Sequence, residues 1–276
     1  MNIDFGISTL AYYQKPIEKL LPHLVKEKIN NIEIRLKENH FLPQEVNELL
    51  KLKKLLNQKR ITVKAIHMPM NGIDISHPKN YERIKSVREV EKTVLMAFHL
   101  GVELIVVHPG AMVNNFEDKK NRLRLSMESL EEIMDFNQNW NIKIALENTL
   151  PGSVGDKWEE IQQILQNISS KNLGICFDTG HYLLNYPEIE KGKLNLDKMG
   201  INWQDSLWHI HLHDNDGKRD LHLLPQEGLF PWDSLISFLK TIDYKGILIF
   251  ESKEQNNLND YLSRVNIAWN NIPNLT

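Results

Sequence analysis

Short apolar runs and longer amphipathic segments alternate along the whole chain. Residues 2–8 read as a first strand, and Pro16 to Lys28 carries Ile17, Leu20, Leu21, Leu24 and Val25 at helical spacing behind a proline. Asn31 to Leu36 alternates as a second strand, and Pro43 to Lys59 is helical. Ile61 to Ile66 is strand-like, and Asn80 to Leu100 is a long amphipathic helix stopped by Gly101. Val102 to Val107 is the fourth strand, and Glu117 to Asn139 the helix after it. Ile142 to Leu146, Leu173 to Phe177, Leu207 to Leu212 and Gly246 to Phe250 complete the strands. Helical patterns at Lys157 to Ile168, Asp233 to Thr241 and Leu258 to Trp269 follow the fifth, seventh and eighth. The segment 182–206 is read as a sixth helix plus an irregular loop.

Strands separated by helical segments imply parallel pairing through crossovers, and near-continuous apolar strands imply burial on both faces. Eight such units without a linker-like stretch predict an α/β fold, a single closed (β/α)8 TIM barrel over residues 1–276. A doubly wound open sheet would more naturally carry a glycine-rich phosphate turn after the first strand, and FGISTLAYYQ is not one.

What the strands end in gives this rhythm a chemical meaning. His67 follows the third, His108 the fourth, Glu147 the fifth and Asp178 the sixth; His211 lies on the seventh and Glu251 ends the eighth. Successive gaps of 41, 39, 31, 33 and 40 residues are each about one strand-helix unit. In a barrel those ends converge on one mouth, where active sites form. The densest stretch is Trp208 to Gly228, WHIHLHDNDGKRDLHLLPQEG. Its alternating His209, His211 and His213 share one face of a strand, followed by Asp214, Asp216, Asp220 and His222. Imidazole and carboxylate are ligands for zinc, manganese or iron.

Taken singly, each residue has a plainer reading. His67 before Met-Pro fits a satisfied strand end, His108-Pro-Gly a turn, and Asp178 a helix N-cap with His181 three residues on. Spacing does not choose among His209, His211 and His213. Glu33 and Arg35 end the second strand and face the same mouth, where a surface ion pair explains them as well. Lys218 and Arg219 suit a solvated turn, or a phosphate at a barrel mouth.

Composition removes other classes. A net charge of −3 gives no general basic footprint for nucleic acid, and no window approaches the length of a membrane span. The single cysteine, Cys176, excludes an internal disulfide and reads as a core residue. The N-terminus has no basic, apolar leader pattern, so a cytoplasmic location is expected.

The strings IHMP, VVHPG, ALENT, CFDTGH, HIHLHD, RDLHLLPQEG and FES resemble the xylose isomerase-like barrel superfamily over nearly the whole chain. That group includes sugar isomerases and epimerases and the DNA-repair enzyme endonuclease IV. The resemblance to the epimerases implies one divalent metal held by Glu147, Asp178, His211 and Glu251. The resemblance to endonuclease IV implies nine ligand positions for three zinc ions: His67, His108, Glu147, Asp178, His181, His211, Asp220, His222 and Glu251. Departures from the endonuclease are a shorter stretch from His211 to Asp220, no evident basic and aromatic loop after the second strand, and His213 where it has Asn.

The expected function is a sugar or sugar-phosphate isomerase or epimerase that works by proton transfer through a metal-stabilised enediolate. Glu147 and Glu251 would move the proton, zinc or manganese would serve as the cofactor with one to three ions, and Arg219, Lys218 and Glu33 would bind substrate. The alternative is a trinuclear zinc phosphodiesterase acting on abasic-site DNA, the one reading with a nucleic-acid partner. A silent binding barrel should have lost ligands, and none is lost here. The expected partner is thus a small sugar or sugar phosphate, without a membrane role and with self-association left open.

Overall fold

The computed structural model describes residues 3–113, 115–186, 194, 196–253 and 255–272. Eight strands form a closed barrel in sequence order, with every neighbouring pair parallel. They are β1 (Phe5–Ser8), β2 (Asn31–Arg35), β3 (Thr62–His67), β4 (Leu104–Val107), β5 (Lys143–Glu147), β6 (Leu173–Asp178), β7 (Leu207–Leu212) and β8 (Ile247–Phe250). β1 pairs with β8, which closes the barrel and excludes the open sheet.

The helices of the described residues are α1 (Leu21–Glu27), α2 (Val46–Lys59), α3 (Asn80–Leu100), α4 (Phe116–Asn137), α5 (Trp158–Asn167), α6 (Thr179–Asn185), α7 (Trp203–Ser206), α8 (Trp232–Thr241) and α9 (Leu258–Asn271). Gly101 ends α3 in the left-handed conformation, at φ 78°, as its position predicts. Two expectations need correction. The Pro16–Lys28 segment is not one helix: a 3-10 turn at Ile17–Lys19 precedes α1, which starts where Pro22 can occupy a first-turn position without breaking a hydrogen bond. The sixth helix starts at Thr179, earlier than expected, because Asp178 caps it by accepting from the His181 N–H. The rest of segment 182–206 contributes a 3-10 turn at Leu196–Met199 and α7; residues 187–193 and 195 lie outside the described residues.

Strand alternation divides the apolar residues into two cores. Outward residues such as Ile32, Ile34, Ile144, Leu146 and Ile175 pack against the helices in one large buried cluster. Ala65, Leu104, Val106, Ala145 and Cys176 form a separate small cluster. Their parity is that of His67, Glu147 and Asp178, so they line the interior beneath the mouth. These are mostly short side chains, and fully buried Glu33 and His209 lie at the same inward parity. Cys176 is a buried core thiol, as its sequence context implies.

The loop after β7 is built around Asp214, which is fully buried. Its Oδ1 accepts from the N–H groups of Asn215 and Phe230, both at 2.9 Å. Its Oδ2 accepts from the indole of Trp232 at 2.8 Å and the Gln226 N–H at 3.2 Å. Reciprocal main-chain bonds between Asp214 and Leu223 close the excursion and turn Asp220 and His222 back over the barrel. A Cβ on Gly228 would lie 2.4 Å from the Asp214 carboxylate, so the chain passes there only as glycine. Replacing Asp214 by Ala strands these donors. The expected loss is about 3 kcal/mol of stability, measured by urea denaturation, because buried unpaired donors retain their full desolvation cost.

Candidate metal centre

The six strand-end residues do converge. Glu147, Asp178, His211 and Glu251 each offer a ligand atom within 4.8 Å of the others, all from buried side chains. His211 Nδ1 lies at the centre, 3.3 Å from Glu147 Oε1, 3.7 Å from Asp178 Oδ2 and 3.8 Å from Glu251 Oε2. His67 and His108 approach Glu147 Oε2 at 3.0 and 2.8 Å, forming a second group. His181, His213, Asp220 and His222 form a third. Every residue of the nine-position set therefore falls into at least one of these three groups, and Glu147 into two; a fourth possible group, Cys176 with His209 and His211, lies on the inner wall of the barrel.

Main-chain carbonyls orient several of these rings. His67 Nδ1 donates to Met68 O at 2.9 Å, His181 Nδ1 to Asn148 O at 2.9 Å, and His222 Nδ1 to Glu251 O at 3.0 Å. A carbonyl only accepts, so each ring keeps Nε2 as the atom it can offer a metal; in His67 and His222 that atom meets a carboxylate of its own group, Glu147 and Asp220, at 3.0 Å. His222 adopts a positive φ of 52°, a conformation that costs a non-glycine residue about 1–3 kcal/mol. The Asp214–Leu223 pairing beside it and the bond to Glu251 O hold it there.

His213 has a different role from its neighbours in the third group. Its ring lies face to face with His222, centroids 4.0 Å apart and planes 5° apart. Lone pairs lie in the ring plane, so two stacked imidazoles cannot both aim at one ion. His213 Nε2 instead contacts Asp178 at 2.8 Å, leaving His181, Asp220 and His222 as a three-ligand set with an open position. A Cβ on Gly180 would fall 2.0 Å from the His213 ring, which makes the glycine of Asp-Thr-Gly-His a packing requirement.

Sealing carboxylates together demands compensation. Burial disfavours the charge of Glu147, but His108 and His211 overcome it and hold the carboxyl well below its usual range. Burial likewise works against Asp178, while His181 and His213 hold it far down. Asp220 is lowered to about 2, with His222 outweighing burial. In return, Asp178 and Glu147 overcome burial at His181 and raise it to about 10. His211 and His222 are also raised against burial, His211 by Cys176 and the Glu33, Glu251 and Glu147 carboxylates beside it, His222 by Asp220 and Glu251. The protons thus stand where a cation would, and the donor set fits one. His211 Nδ1 and Asp220 Oδ1 are buried without a hydrogen-bond partner among the described residues.

Above this floor lies a cavity of about 630 Å³, walled by Tyr13, Arg35, Met70, Met112, Leu150 and Lys253. Three expected substrate-binding residues do not reach it. Arg219 is exposed and turned onto Asp216, bonding it at 2.8 Å, and Lys218 sits beside it on the exposed turn. Glu33 is fully buried below the mouth, where His209 and His211 bond it at 2.8 and 2.9 Å; it forms no surface pair with Arg35. Arg35 bonds Glu251 Oε1 at 2.8 Å and lines the cavity. Sequence reasoning also passed over Asn148, whose side chain brackets the Asp178 main chain. Glu33 had a signal: Asn31, Glu33 and Arg35 are polar at the inward parity of β2, opposite apolar Ile32 and Ile34.

Residues 24–269 match the description xylose isomerase-like TIM barrel. The chain belongs to that family. A family relative, an uncharacterized protein of Methanocaldococcus jannaschii, is 28% identical over 260 residues, covering 92% of this chain and 85% of its own. Another, named "Probable endonuclease 4", comes from Acholeplasma laidlawii and is 27% identical over 218 residues, covering 74% of this chain and 72% of its own. The crystal structure of a D-tagatose 3-epimerase-like protein superposes with a TM-score of 0.78 at 27% identity, covering 96% of this chain and 99% of that one. The family thus spans sugar-epimerase-like and endonuclease-like members. Among the described residues, no helix is long and apolar enough to cross a membrane.

Two outcomes follow for metal binding. Ligation needs neutral imidazole, so ion uptake must expel the protons held on His181, His211 and His222. Apparent zinc affinity should rise with pH from 6 to 9, with protons released into the buffer, as read by calorimetry in buffers of differing ionisation enthalpy. For the stripped protein the sign reverses. The raised His181 stabilises the fold fully below its unfolded pKa of about 6.5, and that contribution is lost as pH climbs through about 10. The lowered Asp220 stabilises fully above about 3.9, with loss as pH falls through about 2. Stripped protein should therefore lose melting temperature between pH 7 and 10, while zinc-loaded protein should not.

Metal count is the second outcome. Protein purified without chelator should carry more than one ion per chain by elemental analysis. The double variant Asp220→Asn, His222→Ala should lose about one of them, because it removes two of the three ligands of one set.

Proposed function

We propose that the protein is a divalent-metal-dependent isomerase or epimerase of a sugar or sugar phosphate, with Glu147 and Glu251 as its proton-transfer pair. The observation that carries this reading is the arrangement of the two glutamates about His211. Glu147 Oε1 and Glu251 Oε2 approach its Nδ1 from separate strands at the floor of one cavity. A volume of about 630 Å³ lies within the ordinary range for small-molecule sites.

The core set of three carboxylates and one imidazole suits manganese or magnesium as well as zinc, and the imidazole-rich flanking sets favour zinc or iron. An ion held there would polarise a carbonyl and fix its neighbouring hydroxyl. The remaining work falls to the chain. One glutamate takes the proton from the carbon beside the carbonyl, and the other returns a proton to the opposite face or to the adjacent carbon. Where the flanking set holds no ion, His181 and His222 are available to hydrogen-bond hydroxyls near the floor, while Arg35, bonded to Glu251, and Lys253 replace Lys218 and Arg219 as the cations lining the cavity. Tyr13, Met70, Met112 and Leu150 wall the cavity with apolar surface that limits water around the reacting carbon.

A second reading, metal-assisted hydrolysis of a phosphodiester at abasic-site DNA, draws support from a different observation. The core group and both flanking groups at the barrel mouth are complete, which a one-metal epimerase does not require. Cleavage of an abasic-site duplex by the zinc-loaded protein would establish that reading in place of the first.

Ketoses and ketose phosphates incubated with the manganese-loaded protein in D₂O should acquire deuterium at the carbon beside the carbonyl. Glu147→Gln and Glu251→Gln should each slow this exchange by about 10²-fold or more, the usual worth of a positioned acid or base. Complete absence of deuterium with every sugar tried would overturn proton transfer as the chemistry.

A further inference from the structure

The core imidazole is oriented unlike the others. His67, His181 and His222 each point Nδ1 at a main-chain carbonyl and present Nε2. In His211 the sense is reversed. Nδ1 faces the three carboxylates, and Nε2 points down into the barrel to Glu33 Oε2 at 2.9 Å. The same oxygen meets His209 Nε2 at 2.8 Å.

A carboxylate oxygen only accepts, so both Nε2 atoms carry the proton. That leaves Nδ1 as the one nitrogen of His211 free to bind an ion, and Nδ1 has no hydrogen-bond partner among the described residues. Glu33 also stands where a barrel of this kind ordinarily packs branched apolar side chains. It is wholly enclosed, and its β3 neighbour in register is Ala65. A buried carboxylate is costly unless paired, and packing alone would be better served by Val or Leu at this position.

We infer that Glu33 is the positioning residue of the core metal centre: it fixes His211 with Nε2 protonated and turned inward, so that Nδ1 is the atom offered to a divalent ion. His209 holds Glu33 in place from the layer below. Glu33 touches neither substrate nor ion, and acts through His211. The inference rests on the core four binding an ion and holds for either reaction.

The test titrates zinc against a chromophoric chelator in a parent variant, His108→Ala, His222→Ala, in which the core set is left intact. Glu33→Gln and Glu33→Leu are then added to it. Removing an outer partner of a metal-bound histidine commonly weakens binding about 10–100-fold, and Glu33→Gln should do so here. Glu33→Leu should weaken it at least as much. Nitrogen-15 spectra of the zinc-loaded parent should show one histidine bound through Nδ1 with a proton on Nε2, and Glu33→Leu should lose that signature. A merely structural role would move neither, and melting curves of the stripped variants check that the fold survives. If Glu33→Leu does not fold, Glu33→Gln decides by itself. Parental affinity with an unchanged Nδ1-bound histidine in a folded variant overturns the role of Glu33. A parent that binds no zinc overturns the core metal centre itself, and the role of Glu33 with it.

Discussion

Carboxylates closed away from water must meet positive charge, and most of this molecule's unusual features answer that demand. Glu147, Asp178 and Glu251 converge because β5 and β6 end in acids and one directly follows β8, with His211 of β7 between them. Without a cation their mutual repulsion and desolvation would oppose the fold. Protons on His181, His211 and His222 supply the charge in the stripped protein. A divalent ion would do the same more compactly and release those protons, so the groups that balance the barrel mouth electrostatically are also the ones that could hold a metal.

The support for this centre extends in two directions. Upward, Asp214 and the Asp214–Leu223 pairing bend the loop after β7 so that Asp220 and His222 hang over the mouth. That return is short, yet it brings the Asp220 and His222 pair into one group with His181. Downward, small inner-wall residues, Ala65, Ala145 and Cys176, leave room for a buried Glu33 and His209 where most barrels are filled with branched side chains. His213 links the levels sideways, stacking on His222 while bonding Asp178.

The rim separates this chain from a generic metal barrel. Arg35 reaches Glu251 from β2, and Lys253 follows β8, so cations stand on one side of a cavity whose other walls include Met112 and Leu150. The Lys-Arg turn at 218–219, more conspicuous in the sequence, is spent on an exposed contact with Asp216. A charged pair in a turn is cheap to solvate, and nothing in local spacing distinguishes it from one that faces a ligand.

The sequence by itself pointed to the eight-unit barrel and to six strand-end candidates, because both are written in periods, while His181, Asp220 and His222 came only from the resemblance to endonuclease IV. Apolar alternation marks strands, helical spacing marks the layer around them, and one acid or histidine per unit marks the shared mouth. Tertiary structure alone decided the rest. Asp178 proved to be both cap and site residue, since one oxygen meets the His181 N–H while the other faces His211. The choice among His209, His211 and His213 depended on height along the barrel axis. His209 lies a layer too deep and His213 is stacked out of line, so His211 alone sits level with the carboxylates. Glu33, read as a mouth residue, became the anchor beneath it, because barrel closure brings β2 within hydrogen-bonding reach of β7 across the interior. Parity assigns a side chain to a face, but depth and cross-barrel contact arise only when eight strands close with one particular stagger.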